Sequence, residues 1–182
     1  MDIVMLVGES GSGKTTAALR CTHRAWQSNR SVGGIVALGT FEQNRRDSFQ
    51  VVNLATGEKR LLAKRDLPSS VMQGPFGFSE EGLTFGHKAL RSAIEHKSDL
   101  VVVDEVGPLE LSGSGWAEDL HLLSRTPPNY LLLTVRPAIL EEVRTTFFPK
   151  LPTVAIAVSD YQHLLRRWHL QEWNNSGDGN LR

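Results

Sequence analysis

The sequence predicts an α/β fold in three layers, a mostly parallel sheet with helices on both faces and an inserted β-hairpin. Three observations predict it. Five short apolar runs, at residues 3–7, 33–38, 100–104, 130–135 and 154–158, read as strands buried on both faces. Segments with apolar residues at helical spacing alternate with them, as crossovers between parallel strands require. Two further runs, 48–54 and 59–63, flank Ala55-Thr56-Gly57-Glu58, a hairpin with glycine in its turn. At 182 residues the chain suits one domain with a full core and is too short for two ordinary ones. That domain is expected over 1–173, with the hairpin insert at about 45–64 and a polar, glycine-rich tail at 174–182.

Each element follows from local chemistry. Ala17, Ala18, Cys21 and Ala25 share one helical face, so a helix is expected from Lys14 to about residue 28. Cys21, the single cysteine, sits on that apolar face as a core residue; it excludes an internal disulfide and suits a reducing compartment. Residues 64–82, with Pro68, Gly74, Pro75 and Gly77, read as irregular. Ala89, Leu90, Ala93 and Ile94 mark a helix near 85–97. A glycine-bearing loop from Glu105 to Gly115 precedes a helix near 116–125. Pro137 opens a helix carrying Ile139, Leu140, Val143 and Phe147. Ser159-Asp160-Tyr161-Gln162 fits a capping box ahead of a helix burying Leu164, Leu165 and Trp168. Met72, Trp116 and Trp173 suggest packing.

Twenty basic and twenty acidic side chains cancel, so no net field draws the chain to nucleic acid or an anionic membrane. No signal-peptide pattern opens the sequence and no apolar stretch is long enough to span a bilayer, so a soluble cytoplasmic protein is expected.

The chemistry concentrates at Gly8-Glu9-Ser10-Gly11-Ser12-Gly13-Lys14-Thr15. Two glycines five apart, then lysine and threonine, lie between an apolar strand and a helix, the context a phosphate-binding loop requires. By chance the bare pattern arises in roughly one chain in a hundred of this length, so it reads as a nucleotide-phosphate site. Glycines let successive N–H groups face one anion, and the helix N-terminus adds its positive end. Lys14 would reach the outer phosphates and the Thr15 hydroxyl would ligate Mg²⁺. Asp104-Glu105 closes the strand at 100–104; Asp104 would hold the same Mg²⁺, and Glu105 would orient or deprotonate the attacking water.

Other residues stay open on sequence grounds. Glu110 is either a second water ligand or an exposed loop acid. Glu9 is expected to point away from phosphate, since carboxylate and phosphate repel. Thr134 at its strand end either feels the γ-phosphate or is a satisfied buried threonine. Arg136, Arg45 or Arg46 would neutralise developing charge, or are surface arginines. His87, His96, His121, His163 and His169 lack metal-ligand spacing.

The run Val101-Val102-Val103-Asp104-Glu105-Val106-Gly107-Pro108-Leu109-Glu110-Leu111 resembles the signature segment of the THEP-type nucleoside-triphosphatase family. Arg46-Asp47-Ser48-Phe49, Thr56-Gly57-Glu58 and Leu62-Ala63 resemble that family's hairpin, and the resemblance covers roughly residues 1–165. It implies a RecA-like P-loop fold and slow Mg²⁺-dependent hydrolysis of ATP, GTP and other triphosphates. Carried over by position, Gly8–Thr16 (Thr16 included) binds nucleotide, Lys14 and Glu105 are catalytic, and Thr15 and Asp104 serve the metal. The sequence has no guanine-reading Asn-Lys-x-Asp, so weak base specificity is expected. Two other functions compete: a small-molecule or nucleotide kinase using the same loop, and a nucleotide-dependent switch or assembly subunit built on the loop after Glu105. No nucleic-acid or membrane partner is expected.

Overall fold

A computed structural model describes residues 1–43 and 45–170. Trp173 and the expected tail at 174–182 lie outside the described residues. In chain order the elements are β1 (Asp2–Val7), α1 (Lys14–Gln27), β2 (Val32–Glu42), β3 (Arg45–Asn53), β4 (Lys59–Arg65), β5 (Met72–Gln73), β6 (Phe76–Phe78) and α2 (Glu80–Glu95). There follow β7 (Leu100–Val106), α3 (Pro108–Leu111), α4 (Ala117–Arg125), β8 (Tyr130–Val135), α5 (Leu140–Phe147), β9 (Thr153–Ala157) and α6 (Tyr161–Arg167).

Strand side chains alternate between faces, so a strand apolar at every position needs cover on both. The two layers of helices supply it. Ile3, Met5, Val101, Val103, Leu131 and Leu133 pack in one cluster with Leu90 of α2, Leu120 of α4 and Phe147 of α5. Val4, Leu6, Val102 and Leu132 point the other way, against Ala18 and Cys21 of α1, Leu164 of α6 and Trp168 just after it. Burial pushes the Cys21 thiol up to about 12, which fits a core residue rather than a nucleophile.

All strands join one sheet in the order β5-β6-β4-β3-β2-β7-β8-β1-β9. The β2-β7-β8-β1-β9 core is parallel throughout, as expected. The inserted hairpin is larger than the sequence suggests. β2 does not stop at Leu38 but continues to Glu42 and turns back on β3 in antiparallel register, Thr40 opposite Ser48. The stretch Gly39–Glu42 offers no periodicity because it lies beyond the helical layers, half exposed or exposed. The segment 64–82 is also ordered, with β5 and β6 pairing across a turn at Gly74, whose φ is +58°. Gly77 of β6 lies so close to the Leu67 carbonyl that a Cβ would come within 1.9 Å. Trp116 is buried as expected, whereas Met72 is 49% exposed and packs little.

Three helical features differ from expectation for local reasons. α2 begins at Glu80, ahead of residue 85, because Ser79 Oγ accepts from the Gly82 N–H at 3.2 Å and Glu80 and Glu81 favour the positive helix end. The loop after Glu105 contains the single turn α3, opened by Pro108. The Ser159–Gln162 capping box does not form. A 3₁₀ turn, Val158–Asp160, takes its place, so the expected cap Ser159 lies inside helical backbone, and Asp160, which precedes α6 at φ −103°, ψ 17°, makes no side-chain cap. Among the described residues no helix is long and apolar enough to cross a membrane.

Candidate functional site

Open parallel sheets present ligands at the carboxyl ends of their strands. Here β1, β7 and β8 deliver the predicted residues to one such edge. The Gly8 N–H bonds the Val135 carbonyl at 3.2 Å, and a turn closed by Ser12 N–H to Glu9 O, 3.1 Å, leads into α1. Gly11 at φ +77° and Gly13 at φ +92° occupy the left-handed region. A Cβ at either would meet open space, so backbone conformation alone demands glycine. Glu9, Ser10, Ser12 and Thr16 are exposed on the loop and the first turn of α1.

Lys14 is 6% exposed, and its ammonium donates to the carbonyls of Gly8 at 2.7 Å and Glu9 at 2.9 Å. The loop is thereby held in a ring around its own lysine. Thr15 Oγ1 donates to Asp104 Oδ2 at 2.8 Å, joining the first turn of α1 to the end of β7. Asp104 receives two more bonds, from Thr134 Oγ1 at 2.5 Å and the Ala37 N–H at 3.2 Å. Burial drives its carboxyl above the ordinary range; the Thr134 and Thr15 hydroxyls and the Ala37 N–H oppose that rise, and Glu105 adds to it. Thr134 is therefore a satisfied buried threonine that orients Asp104.

Glu105 follows through a cis peptide. Its Oε1 accepts from Arg136 Nε at 2.9 Å and lies 3.8 Å from the Lys14 ammonium. Arg136 is thus a site residue, tied to the carboxylate. Arg45 is exposed, while Arg46 lies over the rings of Phe41 and Phe49, 5.0 and 5.1 Å from their centres.

Glu110 is 4% exposed, which rules out the exposed loop acid, one of the two alternatives left open by the sequence. Its carboxylate accepts from the N–H groups of Gly107 at 2.7 Å and Trp116 at 3.2 Å, pinning the loop after Glu105. Burial lifts its carboxyl to about 7. Its spacing three residues after Gly107, at the third position of a helical turn, was the available signal. His87 pairs with buried Asp119 at 2.5 Å between α2 and α4, away from the phosphate loop. Among the described residues no three His, Cys, Asp or Glu side chains gather as a metal cluster.

The Thr15 hydroxyl and Asp104 carboxylate form a small set of oxygen donors only. That set fits Mg²⁺, which takes one or two protein oxygens and completes its shell with phosphate and water. Beside it a cavity of about 420 Å³ opens between Ser10, Glu105 and Arg136 on one side and β3, β4, β6 and the Glu110 loop on the other.

A protein-family profile described as NTPase (NTPase_1) matches residues 3–157, from the first strand through the last. The chain belongs to the NTPase_1 family. Its match to the nucleoside-triphosphatase THEP1 of Methanopyrus kandleri is 34% identical over 115 residues, 63% of each protein. The THEP1 of Archaeoglobus fulgidus is 28% identical over 149 residues, 79% of this chain and 85% of that one. The chain spans 61–63% of the length of the Methanopyrus kandleri and Saccharolobus solfataricus relatives it matches. Among solved structures it resembles a human cancer-related nucleoside triphosphatase, with a TM-score of 0.68 and 22% identity over 93% of this chain and 96% of that one. THEP1 from Aquifex aeolicus superposes with a TM-score of 0.65 at 18% identity, over the same shares. The NTPase_1 fold and the THEP-type resemblance read from residues 101–111 agree.

Proposed function

We propose that this NTPase_1 member is a Mg²⁺-dependent nucleoside triphosphatase that releases phosphate from ATP, GTP and other triphosphates with little preference for the base. One observation carries the reading: the Glu105 carboxylate stands 3.8 Å from the Lys14 ammonium, one residue beyond an Asp104 bonded to Thr15. The loop amides from Gly8 to Thr16 grip the phosphate tail, and Lys14 exchanges its carbonyl partners for β- and γ-phosphate oxygens. Thr15 and Asp104 would hold Mg²⁺, which would supply positive charge to the triphosphate. Glu105 takes the proton of the attacking water, and Arg136 keeps that carboxylate aimed.

The cancelled net charge and core thiol support action on free nucleotides in the cytoplasm, away from nucleic acid and membrane. Phosphate release from ATP, GTP, CTP and UTP, with and without Mg²⁺, tests the reading on wild type and Lys14→Ala. Release from all four, lost without the metal and reduced at least about a hundredfold in Lys14→Ala, is expected. Equal release by the lysine variant would overturn it.

A further inference from the structure

The cavity beside the phosphate loop is more than hydrolysis of a triphosphate by water requires. Its volume of about 420 Å³ lies in the range of sites that enclose a small organic molecule. One wall is aromatic: Phe49 and Phe76 meet edge to face at 5.2 Å between ring centres, and Phe78 and Trp116 also line the space. Arg46 lies over Phe49 at 5.1 Å and Arg65 over Phe76 at 5.0 Å, so the two guanidiniums extend this wall.

The charges on the cavity separate into two kinds. Each acid is already engaged: Asp104 by Thr15 and Thr134, Glu105 by Arg136, Glu110 by the amides of Gly107 and Trp116. The arginines differ: Arg65 Nη2 donates to the uncharged Arg46 carbonyl at 3.1 Å. Among the described residues neither Arg46 nor Arg65 has a carboxylate at ion-pair distance, and the buried Arg65 Nε has no hydrogen-bond partner at all. Two guanidiniums with no carboxylate partner among the described residues, set against aromatic rings, suit a planar ring that carries an anion.

Their placement points toward the phosphate loop. Ala37 of β2 donates to Asp104, and Gly39, two residues further along the same strand, packs on Arg46 so closely that a Cβ would come within 2.9 Å of Nε. Glycine at 39 therefore makes room for Arg46 just beyond the metal carboxylate. Ser10, Glu105 and Arg136 line the same cavity, so it opens onto the site where the γ-phosphate would lie.

We propose that this cavity is an acceptor site for a nucleoside monophosphate, with its base against the aromatic wall and its phosphate at Arg46 and Arg65. The proposal rests on the reading of Gly8–Thr16 as a triphosphate site. An oxygen of the acceptor phosphate attacks the γ-phosphorus, and the bond from that phosphorus to the β–γ bridging oxygen breaks. The electron pair leaves on the donor diphosphate, and a dianionic acceptor brings no proton to remove. Both products are nucleoside diphosphates. The guanidiniums lessen the repulsion between two phosphate anions, and release of phosphate to water is the reaction that remains when the cavity holds no acceptor.

The test is ATP labelled in its γ-phosphate, incubated with Mg²⁺ and millimolar AMP, GMP, CMP or UMP. Label is expected in the diphosphate of at least one added monophosphate. Arg65→Met should lower that transfer about tenfold or more, the scale of one charge-assisted hydrogen bond, and leave release without acceptor within about twofold. Should the variant lose both reactions equally through misfolding, calorimetry of the same monophosphate on wild type decides, and absence of binding overturns the proposal. Label found only in inorganic phosphate with all four monophosphates also overturns it, while leaving the triphosphatase reading intact. No label released from ATP under any condition defeats the triphosphatase reading and this one with it.

Discussion

Arg136 donates from Nε to Glu105 Oε1 at 2.9 Å, and the same oxygen lies 3.8 Å from the Lys14 ammonium. Two cations therefore hold one carboxylate, whose side chain is still 33% exposed and open to water. A general base needs that combination of fixed direction and access. Glu105→Gln is expected to keep nucleotide binding and lose about a hundredfold or more in phosphate release. Arg136→Gln leaves the carboxylate present but unaimed, so a smaller loss, about tenfold, is expected. Nucleotide titration and single-turnover release on both variants check this; a Glu105→Gln enzyme with normal turnover would move the base elsewhere.

Thr134→Val removes a buried donor and leaves Asp104 Oδ1 with no hydroxyl to receive from. The side chain is nearly isosteric, so the effect isolates the hydrogen bond. A buried acceptor that loses its partner costs about 1–3 kcal/mol, visible as a lower urea midpoint. Because the other Asp104 oxygen meets Thr15, a looser carboxylate should also raise the Mg²⁺ concentration needed for half-maximal turnover severalfold. Unchanged midpoint and unchanged Mg²⁺ dependence together would show that Thr15 and Ala37 suffice to hold Asp104.

What the sequence made legible was local. Gly11 and Gly13 announce left-handed backbone, and the unbroken run Leu100–Asp104 announces a strand covered on both faces, because each signal is complete within a few residues. The Thr134–Asp104 bond was not legible: it depends on the parallel register that sets Val103 beside Leu133, across 30 positions of chain. The same holds for the cavity. Arg46, Arg65 and Phe76 come from three strands whose pairing is non-local, and β5 and β6 are too short for alternation to show. The Ser79 cap was missed, with the helix expected only near residue 85, although a serine followed by two glutamates is an N-terminal signal. Glu110 stayed open for another reason: its loop position allowed exposure, and its burial depends on Trp116 and the α3 turn, which close over it.

Gly34 offers a test of the parallel core. Its φ is +97°, and a Cβ there would come within 2.1 Å of the Val102 carbonyl oxygen in the neighbouring strand. Backbone strain and a backbone clash coincide, and β7 cannot move without disturbing Asp104. Gly34→Ala is expected to cost about 3 kcal/mol or more, enough to lower the melting temperature by several degrees. Gly57→Ala is the control, since Gly57 also has positive φ, +75°, but its Cβ would meet nothing within 4 Å. It should cost about 1 kcal/mol, the conformational part alone. Equal costs for the two would mean that the clash at Val102 is relieved by a shift too small to matter.

Glu110 gives the fold a pH dependence whose sign can be worked out. Burial raises its carboxyl from 4.5 to about 7, opposed by the N–H groups of Gly107 and Trp116 and helped by the neighbouring Glu105 carboxylate. The folded chain therefore binds this proton more tightly than the unfolded chain. Its contribution to stability is full below the unfolded value and is lost as pH rises through the folded value, by about 3 kcal/mol in all. Glu110→Gln cannot titrate, and its amide must turn one N–H toward a loop N–H, so a fixed penalty is expected at every pH. Urea unfolding of both proteins from pH 4.5 to 8 separates the two effects. The advantage of wild type over the variant should shrink by about 3 kcal/mol across that range and then stay level. An advantage that held constant would mean that the carboxyl titrates alike in folded and unfolded chains, and that the turn from Gly107 to Trp116 leaves it open to water.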